Sequence, residues 1–301
     1  MVDAQRFGGP WSVMKIETVG KYLDAYSTAL KNKAFRRVYI DAFAGSGDFV
    51  YAKKIDEHSL EFDFVRSAQM HVGSARRALS VVPRFDHLYF CDSSKLNTAA
   101  LKALVVELGA SESATIISGE ANSEVRKICA DLSRLDRGVV FLDPFGNDVA
   151  WETLVAIAET EKLDVWYLSP LAGIYRNAPR DHAALTDEKR RSVTRILGSA
   201  AWEDAFYAVD SAQGNLFTAS NPNRRRTLDV DGIERFVGQR LSTIFPKVAH
   251  PRRLFGTAKK PMFSLFFAIS NPSVSAQRLA LKIAGDILKQ AASGTRPKFG
   301  R

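Results

Sequence analysis

Four acidic residues in the first half of the chain each close a short apolar run and precede small residues or a turn: Asp41, Asp92, Glu120 and Asp143. Asp41 ends Val38-Tyr39-Ile40 and leads into Ala42-Phe43-Ala44-Gly45-Ser46-Gly47. The two glycines lack a Cβ, so the backbone there can turn sharply and approach a ligand. Asp92 ends Tyr89-Phe90-Cys91 and precedes Ser93; a carboxylate in that place can accept hydrogen bonds from both hydroxyls of a ribose. Glu120, followed by Ala121, would lie near an adenine amine. Asp143-Pro144-Phe145-Gly146 offers a carboxylate and a carbonyl to an exocyclic amine, with Phe145 to stack on a flat base. The chemistry this suits is attack of an aromatic nitrogen on an electrophilic methyl group. It needs alignment and acceptors for a growing positive charge rather than a strong base. Each residue also has a plainer reading: Asp92 as a turn residue or helix N-cap, Glu120 as a surface carboxylate starting a helix, and Asp143 to Gly146 as a turn closing a buried strand.

The elements that would carry these residues follow from periodicity. Val19, Tyr22, Leu23, Tyr26 and Leu30 form one apolar stripe at helical spacing, predicting a helix over Ile16–Leu30. Apolar runs then alternate with helical stretches: strands at Arg37–Phe43, Leu88–Cys91, Thr115–Ser118, Gly138–Leu142 and Asp164–Leu168, and helices near Ser74–Ser80, Lys95–Leu108, Ser123–Leu132 and Trp151–Glu159. The strands are continuously apolar, as when both faces of a parallel sheet are covered. Arg253–Thr257 and Phe263–Ile269 are too close for a crossover and should pair antiparallel, before a last helix over Ser273–Ala292. This order predicts an α/β, Rossmann-like three-layer sandwich with a mostly parallel sheet and a C-terminal antiparallel hairpin, the class I methyltransferase layout. It reads as one domain over 1–301, with a helical basic insertion at 171–250. In an open sheet of this kind the ligand sits beyond the carboxyl ends of the strands. Residues 41–47, 92–93, 120–121 and 143–146 would then share a site for S-adenosylmethionine.

The net charge is +9, but residues 1–170 hold 20 Lys and Arg against 23 Asp and Glu, whereas residues 171–301 hold 22 against 10. The basic excess is therefore all in the second part. Arg176, Lys189-Arg190-Arg191 and Arg224-Arg225-Arg226, with Arg252-Arg253 and Lys259-Lys260 beyond them, point to DNA or RNA as partner. A solvated basic face is the plainer reading of any single run. Cys91 and Cys129 have no metal-ligand spacing, and the five histidines show no H-x-x-x-H pattern, so no metal site is expected. No apolar run is long enough to span a bilayer, and a reducing, cytoplasmic setting is expected. Gly-x-Ser-x-Gly and Walker A patterns are absent. A nicotinamide site is disfavoured because Gly45-Ser46-Gly47 lacks the third small residue of G-x-G-x-x-G.

With these residues in hand, the chain resembles the three-Cys-motif partner protein family, assigned to methyltransferase-like folds. The resemblance rests on Lys15 through Tyr22, Tyr39 through Gly47, Gly73-Ser74 leading into Ala78-Leu79, and Phe141 through Gly146, and covers at least the first 170 residues. It implies a companion three-Cys-motif protein. Asp143-Pro144-Phe145-Gly146 is also similar to the fourth motif of tRNA guanine exocyclic-amine methyltransferases, and varies the Asp-Pro-Pro-Tyr motif of amino-methylating DNA and RNA enzymes at Phe145 and Gly146. Two functions stay open: methyl transfer to a nitrogen of a nucleic-acid base, and a cofactor-binding, non-catalytic partner subunit of a companion enzyme.

Overall fold

The computed structural model describes residues 10–52, 68–209, 224–256 and 261–292. Helix α1 (Pro10–Leu30) precedes β1 (Arg36–Asp41), then a hairpin pair, β2 (Asp48–Ala52) and β3 (Ala68–Val72). There follow α2 (Ser74–Leu79), β4 (His87–Asp92), α3 (Lys95–Glu107), β5 (Ala114–Ser118), α4 (Ala121–Asp131), β6 (Asp136–Leu142), α5 (Trp151–Glu159) and β7 (Leu163–Ser169). The basic region holds α6 (Leu171–Asn177), a 3-10 turn (His182–Ala184), α7 (Asp187–Leu197), α8 (Trp202–Phe206), β8 (Tyr207–Val209), β9 (Arg224–Arg226) and α9 (Val230–Leu241). Strands β10 (Lys247–Val248), β11 (Arg252–Phe255) and β12 (Pro261–Ile269) and helix α10 (Val274–Ala292) complete it.

The strand order is β5-β4-β1-β6-β7-β12, with β10 and β11 both on β12. The first five are parallel, and β12 runs antiparallel to β7, Phe267 facing Trp166 and Leu265 facing Leu168. Strands β1, β6 and β7 are buried along most of their length because helices lie on both faces. On one face α1, α2, α3 and α10 pack over Tyr39, Phe90, Phe141 and Trp166. On the other, α4 and α5 share a core with the basic region through Trp202, Phe206, Ile233 and Phe245. Arg253 on β11 ties α9 to the sheet edge, reaching Glu234 and Asp231 at 2.5 Å each.

Chain order reverses beside β1, since β4 and β5 lie on one side and β6 and β7 on the other. That is the crevice at which open α/β sheets bind ligands. The expected elements stand within one or two residues at most ends, apart from α1, which starts six residues early. Two features differ. The β2–β3 hairpin has no counterpart in the periodicity reading. The region 171–250 is not wholly helical, because β8 and β9 pair within it, Tyr207 with Arg226 and Val209 with Arg224. Thr257, Lys259 and Lys260 lie outside the described residues.

Candidate active site

The loop after β1 owes its shape to three glycines. Gly45 and Gly47 have φ of 61° and 92°, a region that favours residues without a Cβ. Gly73, at the N-cap of α2, lies so close to the loop that a Cβ would stand 2.1 Å from the Gly47 carbonyl oxygen. The Gly73-Ser74 pair therefore closes the glycine loop from behind, and the Ser74 hydroxyl hydrogen-bonds Asp41. Asp41, expected to face the ligand, is completely buried and lines neither cavity of the site. Its carboxylate turns to the α1 side of the sheet, where it meets the Tyr39 hydroxyl at 3.3 Å and the Phe43 amide at 3.4 Å. Burial pushes its carboxyl up to about 7, against the pull of the Ser74 hydrogen bond, and the nearby charge of Asp143 adds to the rise. Asp41 supports the loop from beneath.

Asp92 ends β4 and is 8% exposed. One oxygen accepts from the Ser94 amide at 2.7 Å and the Asn97 side chain at 3.0 Å; the other accepts from the Gly45 amide at 3.0 Å. It thus fastens the glycine loop to the start of α3, while Ser94 is the N-cap of that helix. Glu120 is the N-cap of α4, accepting from the amides of Asn122 at 3.1 Å and Ser123 at 2.8 Å. Burial works to raise its carboxyl, but hydrogen bonds from Asn122 and Ser123 outweigh that and hold it below the usual carboxylate range. The plainer readings of both residues are therefore true of their side chains. Both also line a cavity of about 460 Å³ with Phe43, Ser93, Ala121 and Phe145.

A second cavity, of about 280 Å³, lies on the other side of Phe43 and Phe145, walled by Ala44 to Gly47 and floored by Asp143 and Pro144. Here α1 enters the site. The Lys15 ammonium contacts both Asp143 oxygens, at 2.6 and 2.5 Å, with side chains only 9% and 17% exposed. Lys15 also stands 4.8 Å from the Trp11 ring centroid, and Trp11 packs against Phe263 at 4.9 Å. Gly146 has φ of 80°, which turns the chain after the exposed Phe145 ring.

The basic residues divide. Arg190 is paired with Asp187 at 2.5 Å and Glu203 at 2.8 Å; Arg224 is paired with Asp204 at 2.9 Å. Arg226 lies 3.8 Å over the Tyr175 ring and donates to the Leu228 carbonyl; Lys189 donates to the Ala184 carbonyl. These four hold the region 171–250 together. Arg176, Arg191 and Arg225 are exposed. Periodicity singled out neither Lys15 nor Arg195 as a site residue. Arg195, one turn beyond Arg191 on the same face of α7, lines the Asp92 and Glu120 cavity.

The chain matches no family model and no curated protein sequence. Among solved structures, protein LPL1258 of Legionella pneumophila aligns with a TM-score of 0.51 at 13% identity, over 92% of this chain and 91% of that one. The two share a fold. An O-methyltransferase from Bacillus cereus in complex with SAH aligns at a TM-score of 0.39 and 10% identity, over 88% of this chain and 83% of its own. The O-methyltransferase TomG from Streptomyces achromogenes, in complex with SAM, gives 0.40 and 11%, over 88% and 91%. The architecture is the Rossmann-like, mostly parallel three-layer sandwich with an antiparallel C-terminal hairpin that the order of elements predicts. No helix among the described residues is long and apolar enough to cross a membrane.

Proposed function

We propose that the chain is an S-adenosylmethionine-dependent methyltransferase acting on an exocyclic or ring nitrogen of a nucleic-acid base. One observation carries this reading: two cavities meet at Phe43 and Phe145 over the carboxyl ends of β1, β4 and β6, one bounded by Asp92 and Glu120, the other by the glycine loop and Asp143. The residues fit the cofactor. Three donors occupy Asp92, and an ionised carboxylate has about four acceptor positions, which leaves capacity for a ribose hydroxyl. Gly45 and Gly47 bring bare backbone to the neighbouring cavity. When bound there, the cofactor supplies an electrophilic methyl group.

The chain's own residues do the rest. Asp143 accepts from the acceptor nitrogen and stabilises positive charge as it grows there. Lys15 orients that carboxylate from α1. Trp11, Phe145 and Phe263 offer aromatic faces to a planar base presented at the opening. Arg191 and Arg195 on α7, with Arg176 on α6, are the outward cations suited to a phosphate backbone.

The test is calorimetry with S-adenosylmethionine, followed by transfer from methyl-labelled cofactor to mixed DNA and RNA. Saturable binding and label recovered on a base nitrogen are expected, with Asp143→Ala binding the cofactor but transferring nothing. Absence of binding, or undiminished transfer by Asp143→Ala, overturns the reading. One feature favours a second reading, a cofactor-binding subunit beside a companion three-Cys-motif protein: Lys15 already engages both Asp143 oxygens. Binding without transfer by the isolated chain, and transfer restored by the companion, would mark that case.

A further inference from the structure

A third cavity, of about 450 Å³, opens between α1 and α10 at the amino ends of the parallel strands, away from the glycine loop. Its size is that of a small-molecule site, roughly 300–1,000 Å³. Asp164, the second residue of β7, lines it while 8% exposed. One oxygen accepts from the Tyr22 hydroxyl at 2.6 Å, and this is its sole hydrogen bond among the described residues. A carboxylate placed on the apolar face of a sheet with one neutral donor is under-compensated, since desolvation of a charge is costly unless it is paired. Burial correspondingly pushes the group up to about 7, opposed by Tyr22 alone.

Two cations line the same cavity, and neither pairs with a carboxylate among the described residues. Arg137 donates to the Arg134 and Asp136 carbonyls and lies 4.6 Å over the Phe35 ring. Lys162 donates to the Leu132 carbonyl at 3.0 Å. The apolar walls between them and Asp164 come from Tyr26, Phe35, Leu279 and Ile283.

We infer that this cavity binds a small zwitterion with an aromatic body, of the aromatic amino acid class: its ammonium on Asp164, its carboxylate on Arg137 and Lys162, and its ring against Tyr26 and Phe35. The site stands at the opposite ends of the strands from Asp143, and its role is binding. It is independent of the methyl-transfer reading.

Calorimetry on the full chain with L-phenylalanine, phenethylamine and 3-phenylpropionate tests it. L-Phenylalanine should bind saturably and each truncated analogue at least tenfold more weakly. Asp164→Asn should weaken L-phenylalanine at least tenfold, and Lys162→Met should weaken L-phenylalanine and 3-phenylpropionate but not phenethylamine. Should Asp164→Asn fail to fold, Tyr22→Phe serves: it removes the one hydrogen bond that favours the ionised form of Asp164 and should weaken L-phenylalanine and phenethylamine but not 3-phenylpropionate. A merely structural Tyr22–Asp164 contact would not discriminate among the three ligands. No saturable binding up to about 10 mM, or equal affinities in the wild type and both variants, overturns the proposal.

Discussion

The ammonium of Lys15 bridges both oxygens of Asp143 across 128 residues of chain, so the first helix reaches into the turn that ends β6. Removing one partner of a largely buried pair leaves the other charge uncompensated. Lys15→Met should therefore cost about 3 kcal/mol in unfolding free energy. Lys15→Met with Asp143→Asn should recover most of that loss. Urea denaturation with an unchanged slope checks both; a single variant as stable as the wild type would show the pair to be idle.

Gly73 and Gly146 predict opposite outcomes for the same substitution. A Cβ at Gly73 would strike the backbone oxygen of Gly47, which is not the movable end of a side chain. Gly73→Ala should displace the glycine loop and lower affinity for S-adenosylmethionine more than tenfold. Gly146 has open space around it, so Gly146→Ala meets only the strain of its positive φ, about 1 kcal/mol. Calorimetry and thermal melts on the two variants separate steric from conformational cost.

Asp164 gives the protein a pH signature. Its folded carboxyl is raised from 3.8 to about 7, so the folded state holds a proton that the unfolded chain has released. The contribution to stability is full below pH 4, falls as pH rises towards 7, and is flat above. Asp164→Asn removes this fall, so its stability relative to wild type should increase steadily between pH 4 and 7. A difference independent of pH over that range would show Asp164 to titrate normally.

Arginines of the basic region should sort by what they touch. Charge reversal at Arg191 should weaken nucleic-acid binding and lower the slope of log K against log salt by about 1, with thermal stability unchanged. Arg190→Ala should instead lower the melting temperature, because Asp187 and Glu203 lose their partner. Filter binding between about 50 and 200 mM salt, beside melts, distinguishes the groups.

The central parallel strands β1, β6 and β7 were legible because burial on both faces leaves their middles no polar position, and runs such as Val139 to Leu142 announce themselves. The hairpin of β2 and β3 was not. Its strands are five residues each, separated by a charged stretch, and they pair outside the main sheet, where periodicity carries little weight. At the site, Asp92, Glu120 and Asp143 were findable as the acidic ends of strands. Asp41 shares that pattern but belongs beneath the loop, since the alternation along β1 sets it on the same face as Tyr39. Lys15 carries a signal of a different kind. Trp11, Lys15, Val19, Tyr22 and Tyr26 form one stripe of α1, and a lysine in a buried stripe requires a carboxylate opposite it. Whether a given arginine faces water or an internal acid depends on contacts distant in sequence, as Arg190 and Glu203 show.

Lys15 and Tyr22 lie seven residues apart on a single unbroken helix, about 10 Å along its axis. Each is pinned to an aspartate, one at the carboxyl edge of the sheet and one at its amino edge. The helix resembles a caliper whose two jaws share one shaft, set against both ends of the strands at once. The grip on Asp143 and the grip on Asp164 are thus presented by one element, with no break in the helix between them.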